Sequence, residues 1–157
     1  DSIAKLKAME GRVLWGAGTV LRPGGVDAVI QNGGKLIVSP NTDAAVIRRA
    51  IERGGIPLPG FATPTEAFAA LEAGARYLKL FPASTYGPAY LKGLKAVLPP
   101  EAVVMPVGGV GPANMEGWWA AGARGFGLGT DVYKPGMTAA EVGERARAAV
   151  AAVRALM

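Results

Sequence analysis

One local pattern recurs along this chain and narrows its fold more than any other feature. A short apolar run leads into a loop of Gly, Pro, Ser, Thr or Asn, then an amphipathic segment, then a glycine. Six apolar runs open such units: "VLWGAGTVL" from Val13, "KLIVSP" from Lys35, "IPLPGFA" from Ile56, "YLKLFPA" from Tyr77, "VVMPVGGV" from Val103 and "GFGLGT" from Gly125. Between them apolar residues fall at helical spacing, as in Ala45, Val46, Ile47, Ala50 and Ile51, and then Phe68 and Leu71. The helix-like segments close on "IQNGG", "AIERGG", "LEAGA" and "WAAGA", with glycine where a helix ends. Starts are marked as well: Thr63-Pro64-Thr65-Glu66 offers an N-cap, a proline and an acidic first turn, and Thr42-Asp43 and Pro112-Ala113-Asn114 offer similar signals. Continuous apolar strands alternating with helices imply an α/β fold, a parallel sheet covered by helices.

Such a sheet is either open and doubly wound or closed into a (β/α)8 barrel of the TIM type. The strand ends favour the barrel. Small or polar groups follow nearly every run: Gly18-Thr19, Ser39-Pro40-Asn41, Gly60, Pro82-Ala83-Ser84, Gly108-Gly109 and Gly129-Thr130. A barrel assembles its site from all of those ends, whereas an open sheet concentrates it at one switch point. A full barrel has eight strands in about 250 residues; this chain has 157 residues and six runs, preceded by a helix-like "SIAKLKAM". The expectation is one domain over 1–157, an N-terminally incomplete barrel of about six strand-helix units whose first two strands and one helix lie upstream. A genuinely six-stranded domain or a deliberate truncation is the alternative.

Composition limits the chemistry. The chain has no cysteine and no histidine, so thiolate nucleophiles, disulfides, Ser-His-Asp chemistry and the commonest metal ligands are all excluded. Proton transfer and bond making fall to Lys, Asp, Glu, Ser, Thr, Tyr, water or backbone. The net charge of +5 comes from scattered basic residues, without the run or aromatic-interleaved patch of a nucleic-acid surface. An acidic small substrate suits that charge. The N-terminal stretch has no apolar core of a signal peptide and no run could span a bilayer, so the expectation is a cytoplasmic protein without membrane or nucleic-acid partners.

Lys79 lies among Tyr77, Leu78, Leu80 and Phe81. One reading has it pointing outward and snorkelling between sheet and helices. The other places it inward: alternation sets Lys79 on one face with Tyr77 and Phe81, opposite Leu78 and Leu80, near the strand's C-terminal end. There desolvation lowers its pKa, and the neutral amine can attack a ketone to give a Schiff base. "VGGVGPANMEGWWAAGA" and "GLGTD" carry a second signal. Gly108 and Gly109 precede a helix starting near Gly111 to Asn114, and Gly127, Gly129 and Thr130 follow one unit later, so backbone N–H groups could cradle a phosphate. Glycines at strand ends also serve simply as turns. The Thr19 hydroxyl could hold a substrate carboxylate or cap its own loop. Trp118 and Trp119 cannot both face the core from one helix; one lies at a subunit interface or is partly buried against the next helix.

Taken in order, "GAGTVL", "LIVSPN", "PGFATPTEAFAALEAGA", "LKLFPAS", "VGGVGPAN" and "GLGTD" resemble the 2-keto-3-deoxy-6-phosphogluconate/2-keto-3-deoxy-6-phosphogalactonate aldolase family, from about Gly11 to about Tyr133. "ATPTEAF", "FPASTYGPAYLKGLKAVLP" and "GLGTDVY" look more like the phosphogalactonate (KDPGal) branch; the phosphogluconate branch has Thr before the glycine pair, where this chain has Val107. The resemblance implies a class I lyase that splits 2-dehydro-3-deoxy-6-phosphogalactonate into pyruvate and glyceraldehyde 3-phosphate through a covalent imine on Lys79, with no metal or other cofactor. It assigns the substrate carboxylate to Thr19 and the phosphate to Gly108, Gly109, Gly129 and Thr130, and implies a homotrimer. The family's general acid/base glutamate lies on a strand that this sequence does not contain, and Glu10, Glu52, Glu66 and Glu72 fall on helices or helix ends. The alternatives are a phosphogluconate (KDPG) aldolase, another phosphate-binding barrel enzyme, or an incomplete barrel used as an assembly unit.

Overall fold

The computed structural model describes residues 2–157, and these form two compact units that divide between Lys79 and Leu80. The first unit opens on a short helix α1 (Ser2–Lys5) and a 3-10 turn over Leu6–Met9, so the helix-like N-terminal pattern is helical but breaks into two pieces. Strands β1 (Gly16–Ala17), β2 (Leu36–Val38) and β3 (Ile56–Leu58) then pair in parallel in the order β1-β2-β3, with Gly16 opposite Leu36 and Ile37 opposite Pro57. Gly16 is dictated by this pairing, because a Cβ there would collide with the Leu36 backbone.

Helices α2 (Pro23–Gln31) and α3 (Ala44–Glu52) cover that sheet. Val20, Val26, Val29, Ile37, Val46 and Ala50 form the core between them, with Ile3, Ala17 and Ile30 packed against it. Asp27 on α2 pairs with Arg49 of α3 at 2.9 Å and with Arg53 just beyond it at 3.1 Å. The run "IPLPGFA" is two strands rather than one: Pro59, which has no N–H to donate, separates β3 from β4 (Gly60–Phe61). Helix α4 (Pro64–Glu72) buries Ala67 and Ala70 and leaves Phe68 exposed, so the stripe read through Phe68 is displaced by one position.

Strand β5 (Tyr77–Leu80) straddles the division. In the first unit Lys79 N donates to Pro59 O; in the second, Leu80 O accepts from Val107 N. The second unit continues with α5 (Ala83–Lys95), β6 (Val103–Pro106), α6 (Met115–Ala120) and α7 (Ala139–Arg154). Helix α5 is two helical pieces, because Gly87 at φ 74° breaks it before Pro88. "GFGLGT" does not form a strand. Arg124 N bonds Val104 O and Gly127 N bonds Pro106 O alongside β6, but only Val107 and Gly127 make a bridge; with glycine at 125, 127 and 129 the run has few side chains to pack.

The helix stops follow one device used four times. Gly33, Gly54, Gly74 and Gly122 all have positive φ, and each donates to the carbonyl three residues back while the next residue's N–H reaches five back, as Gly54 N to Ile51 O and Gly55 N to Ala50 O do. Residues with a Cβ resist that conformation, so the closing glycines are required. At the starts, Thr63 and Glu66 form a reciprocal capping box, and Asp43, not Thr42, caps α3 by accepting from Ala45 and Val46. Trp118 is buried, while Trp119 is half-buried with the Arg124 guanidinium 5.0 Å from its ring centre and Phe126 beside it, which is burial against the following segment.

Removing the Thr63 cap with Thr63→Ala should cost about 1 kcal/mol in urea unfolding at neutral pH. Glu66 is held below its ordinary pKa of 4.5, chiefly by the Ala62 N–H and then by the Thr63 hydroxyl and N–H, against some desolvation. Its contribution is therefore complete above that value and is lost as pH falls through the lowered pKa. The stability gap between the parent and Glu66→Ala should narrow over that acid range.

Candidate active site

The alternation read from "YLKL" is present in β5: Leu78 and Leu80 are fully buried, while Tyr77 and Lys79 on the other face are half-buried. Lys79 does not lie with the leucines in the packed layer. Burial nevertheless lowers its pKa from 10.5, because desolvation disfavours the ammonium. A lowered pKa raises the fraction of free amine near neutrality, the form that adds to a carbonyl.

Thr19 follows β1 in the same unit and has φ 57°, the only non-glycine residue with positive φ among the described residues. A β-branched residue in that region is strained by about 1–3 kcal/mol. Its side chain is exposed, and among the described residues its hydroxyl makes no hydrogen bond to the chain, so it does not cap its own loop. The conformation is held from the residue beyond. Val20 N donates to Val38 O at 3.0 Å, and the buried Ser39 hydroxyl donates to Val20 O at 2.7 Å. Farther along, Thr42 Oγ1 donates to Gly60 O at 2.9 Å, so hydroxyls extend the cross-links beyond the strand ends.

In the second unit, Gly108 and Gly109 have φ of 95° and 74°, and a Cβ at Gly109 would fall 2.9 Å from the Ser84 Cβ. Their turn is fastened on both sides. Ala83 N and Ser84 N donate to the Val107 and Gly108 carbonyls, while Asn114 accepts from Gly111 N at 3.0 Å and donates to Gly109 O at 2.9 Å. Asn114 stands at the N-cap position of α6, which begins at Met115, but its side chain makes no cap hydrogen bond and organises the glycine turn instead. Exposed Gly129 and Thr130 lie in the turn after the Val107–Gly127 bridge, which brings the two glycine segments side by side. Phe81 lies against the same turn, its ring 3.6 Å from where a Gly108 Cβ would sit.

Lys79, on β5, and Thr19, in the loop after β1, are therefore both in the first unit, and the four phosphate candidates are in the second. The carboxylates weighed as proton shuttles are placed elsewhere: Glu66 in its capping box, Glu52 against Arg49 at 3.4 Å, and Glu10 and Glu72 exposed. Among the described residues no group of three or more carboxylates could hold a metal ion. Ser39 and Asn114 were missed as contributors to the site. "LIVSPN" and "GPAN" read as polar strand ends and helix caps, and only the fold discloses which carbonyls they hold. Thr19→Gly should raise stability by about 1 kcal/mol in urea unfolding, since glycine adopts that φ without strain.

Comparison with known proteins establishes the family. The family model described as "KDPG and KHG aldolase" matches residues 1–136. A 2-dehydro-3-deoxy-6-phosphogalactonate aldolase of Escherichia coli (strain K12) is 52% identical over 143 residues, which span 91% of this chain and 70% of that protein. A probable 2-dehydro-3-deoxy-6-phosphogalactonate aldolase of Rhizobium meliloti (strain 1021) is 49% identical over 91% of this chain and 68% of its own length. A solved structure described as native KDPGal superposes with a TM-score of 0.95 at 49% identity, covering 98% of this chain and 75% of that one. The chain belongs to the KDPG and KHG aldolase family.

Proposed function

We propose that this chain works as a class I aldolase that cleaves 2-dehydro-3-deoxy-6-phosphogalactonate to pyruvate and glyceraldehyde 3-phosphate through an imine on Lys79. The observation that carries this reading is Lys79, an amine on the less buried face of β5 whose pKa is lowered by desolvation. The phosphogalactonate substrate is supported by the relatives' names at about half identity. The same likeness supports reading the strands as part of a (β/α)8 barrel; the cytoplasmic homotrimer rests on the resemblance.

The neutral Lys79 amine adds to the C2 ketone of the substrate, and loss of water from the carbinolamine gives an iminium. Positive charge at that nitrogen accepts the electron pair of the C3–C4 bond as it breaks. The C4 hydroxyl loses its proton, and glyceraldehyde 3-phosphate leaves. The remaining enamine takes a proton at C3, and water releases pyruvate and the free amine. Thr19 holds the substrate carboxylate, and the turns at Gly108, Gly109, Gly129 and Thr130 offer backbone N–H groups to the phosphate. Dehydration, cleavage and C3 protonation each need a proton carrier. Water or a carboxylate outside the four weighed above takes that part.

Borohydride in the presence of pyruvate tests the reading. Reduction should fix pyruvate on the peptide containing Lys79 and nowhere else, and Lys79→Met should abolish the adduct. No adduct in the parent, or one at another lysine, would sink the proposal. The trapping rate should rise with pH and level off below 10.5, because the amine is freed once pH passes the lowered pKa.

A further inference from the structure

Among the described residues Ser39 is the one buried polar residue. Its hydroxyl could as well be a methyl for packing, and burying it costs free energy unless its hydrogen bond is made. That bond goes to Val20 O, the carbonyl one residue past Thr19. Its own N–H donates to Leu58 O at 3.2 Å, anchoring Ser39 from the β3 side, while Val20 N donates to Val38 O. Both peptide planes that follow Thr19 are thereby pinned: the Thr19–Val20 plane through Val20 N and the Val20–Leu21 plane through Val20 O. A strained, exposed residue keeps its conformation only when its surroundings over-determine it. Here the buried serine completes that determination.

We propose that Ser39 is a positioning residue for the reaction: it aims the Thr19 hydroxyl at the carboxylate of the 2-keto acid by holding Val20 from below. This inference rests on Thr19 being the carboxylate ligand and names the buried hydroxyl on which that role depends. Val38 cannot replace it, because its carbonyl reaches only the first of the two planes.

The test is the ketone concentration that half-saturates borohydride trapping on Lys79, measured with pyruvate and with acetone, a ketone lacking the carboxylate. Thr19→Ala and Ser39→Ala should each raise the pyruvate value about tenfold, as expected for one lost charge-assisted hydrogen bond, and leave the acetone value unchanged. The double variant should be no weaker than Thr19→Ala alone, because the serine acts only through the threonine. Ser39→Thr, which keeps the hydroxyl, should restore most of the loss. If Thr19→Ala leaves the pyruvate value unchanged, the carboxylate assignment of Thr19 fails and this inference falls with it. If Thr19→Ala weakens pyruvate but Ser39→Ala does not, or if Ser39→Ala weakens acetone equally, the positioning role alone is overturned.

Discussion

Desolvation of one ammonium group is the constraint on which the functional reading of this fold depends. Leu78 and Leu80 are fully buried on one face of β5, and their burial fixes the strand's register so that Lys79 must take the other face. A one-residue slip would put the lysine into the packed layer and both leucines out of it, which costs several kcal/mol of apolar burial. The lysine is therefore held half-buried on the face opposite the leucines, where burial disfavours its ammonium. In a chain without cysteine or histidine, this amine is the nucleophile we propose.

Within each unit the strand ends follow a common plan. Where backbone pairing stops, side-chain oxygens and amides take over: Ser39 to Val20, Thr42 to Gly60, Asn114 to Gly109 and Gly111. These links let the loops adopt conformations that local preference would reject, above all the positive φ of Thr19 and the paired glycines at 108 and 109. Strain at Thr19 and rigidity beside it belong together. A flexible loop would relax to a more common φ and move the hydroxyl with it.

Much of this was legible in the sequence because it depends on local rules. Four helix-stop glycines, the Thr63 capping box and the alternation around Lys79 all follow from the chirality of residues and the period of a strand. The errors arise where tertiary context decides. Pro59 splits one apolar run into two strands, and the glycines after Arg124 leave the last run with a single bridge. Phe68 is exposed because alanines 67 and 70 give α4 the close approach that a ring would prevent. Thr19 could be picked out as a hydroxyl at a strand end, but its backbone strain and the serine that sustains it lie twenty residues apart and meet only in the fold.

Titration of the Lys79 side chain, followed by the carbon-13 shift of its ε-carbon and assigned with Lys79→Met, tests the central claim most directly. An inflection clearly below 10.5 is expected in the parent chain. A Lys79 inflection at 10.5 or above would mean that the strand does not desolvate the amine, and would contradict the account.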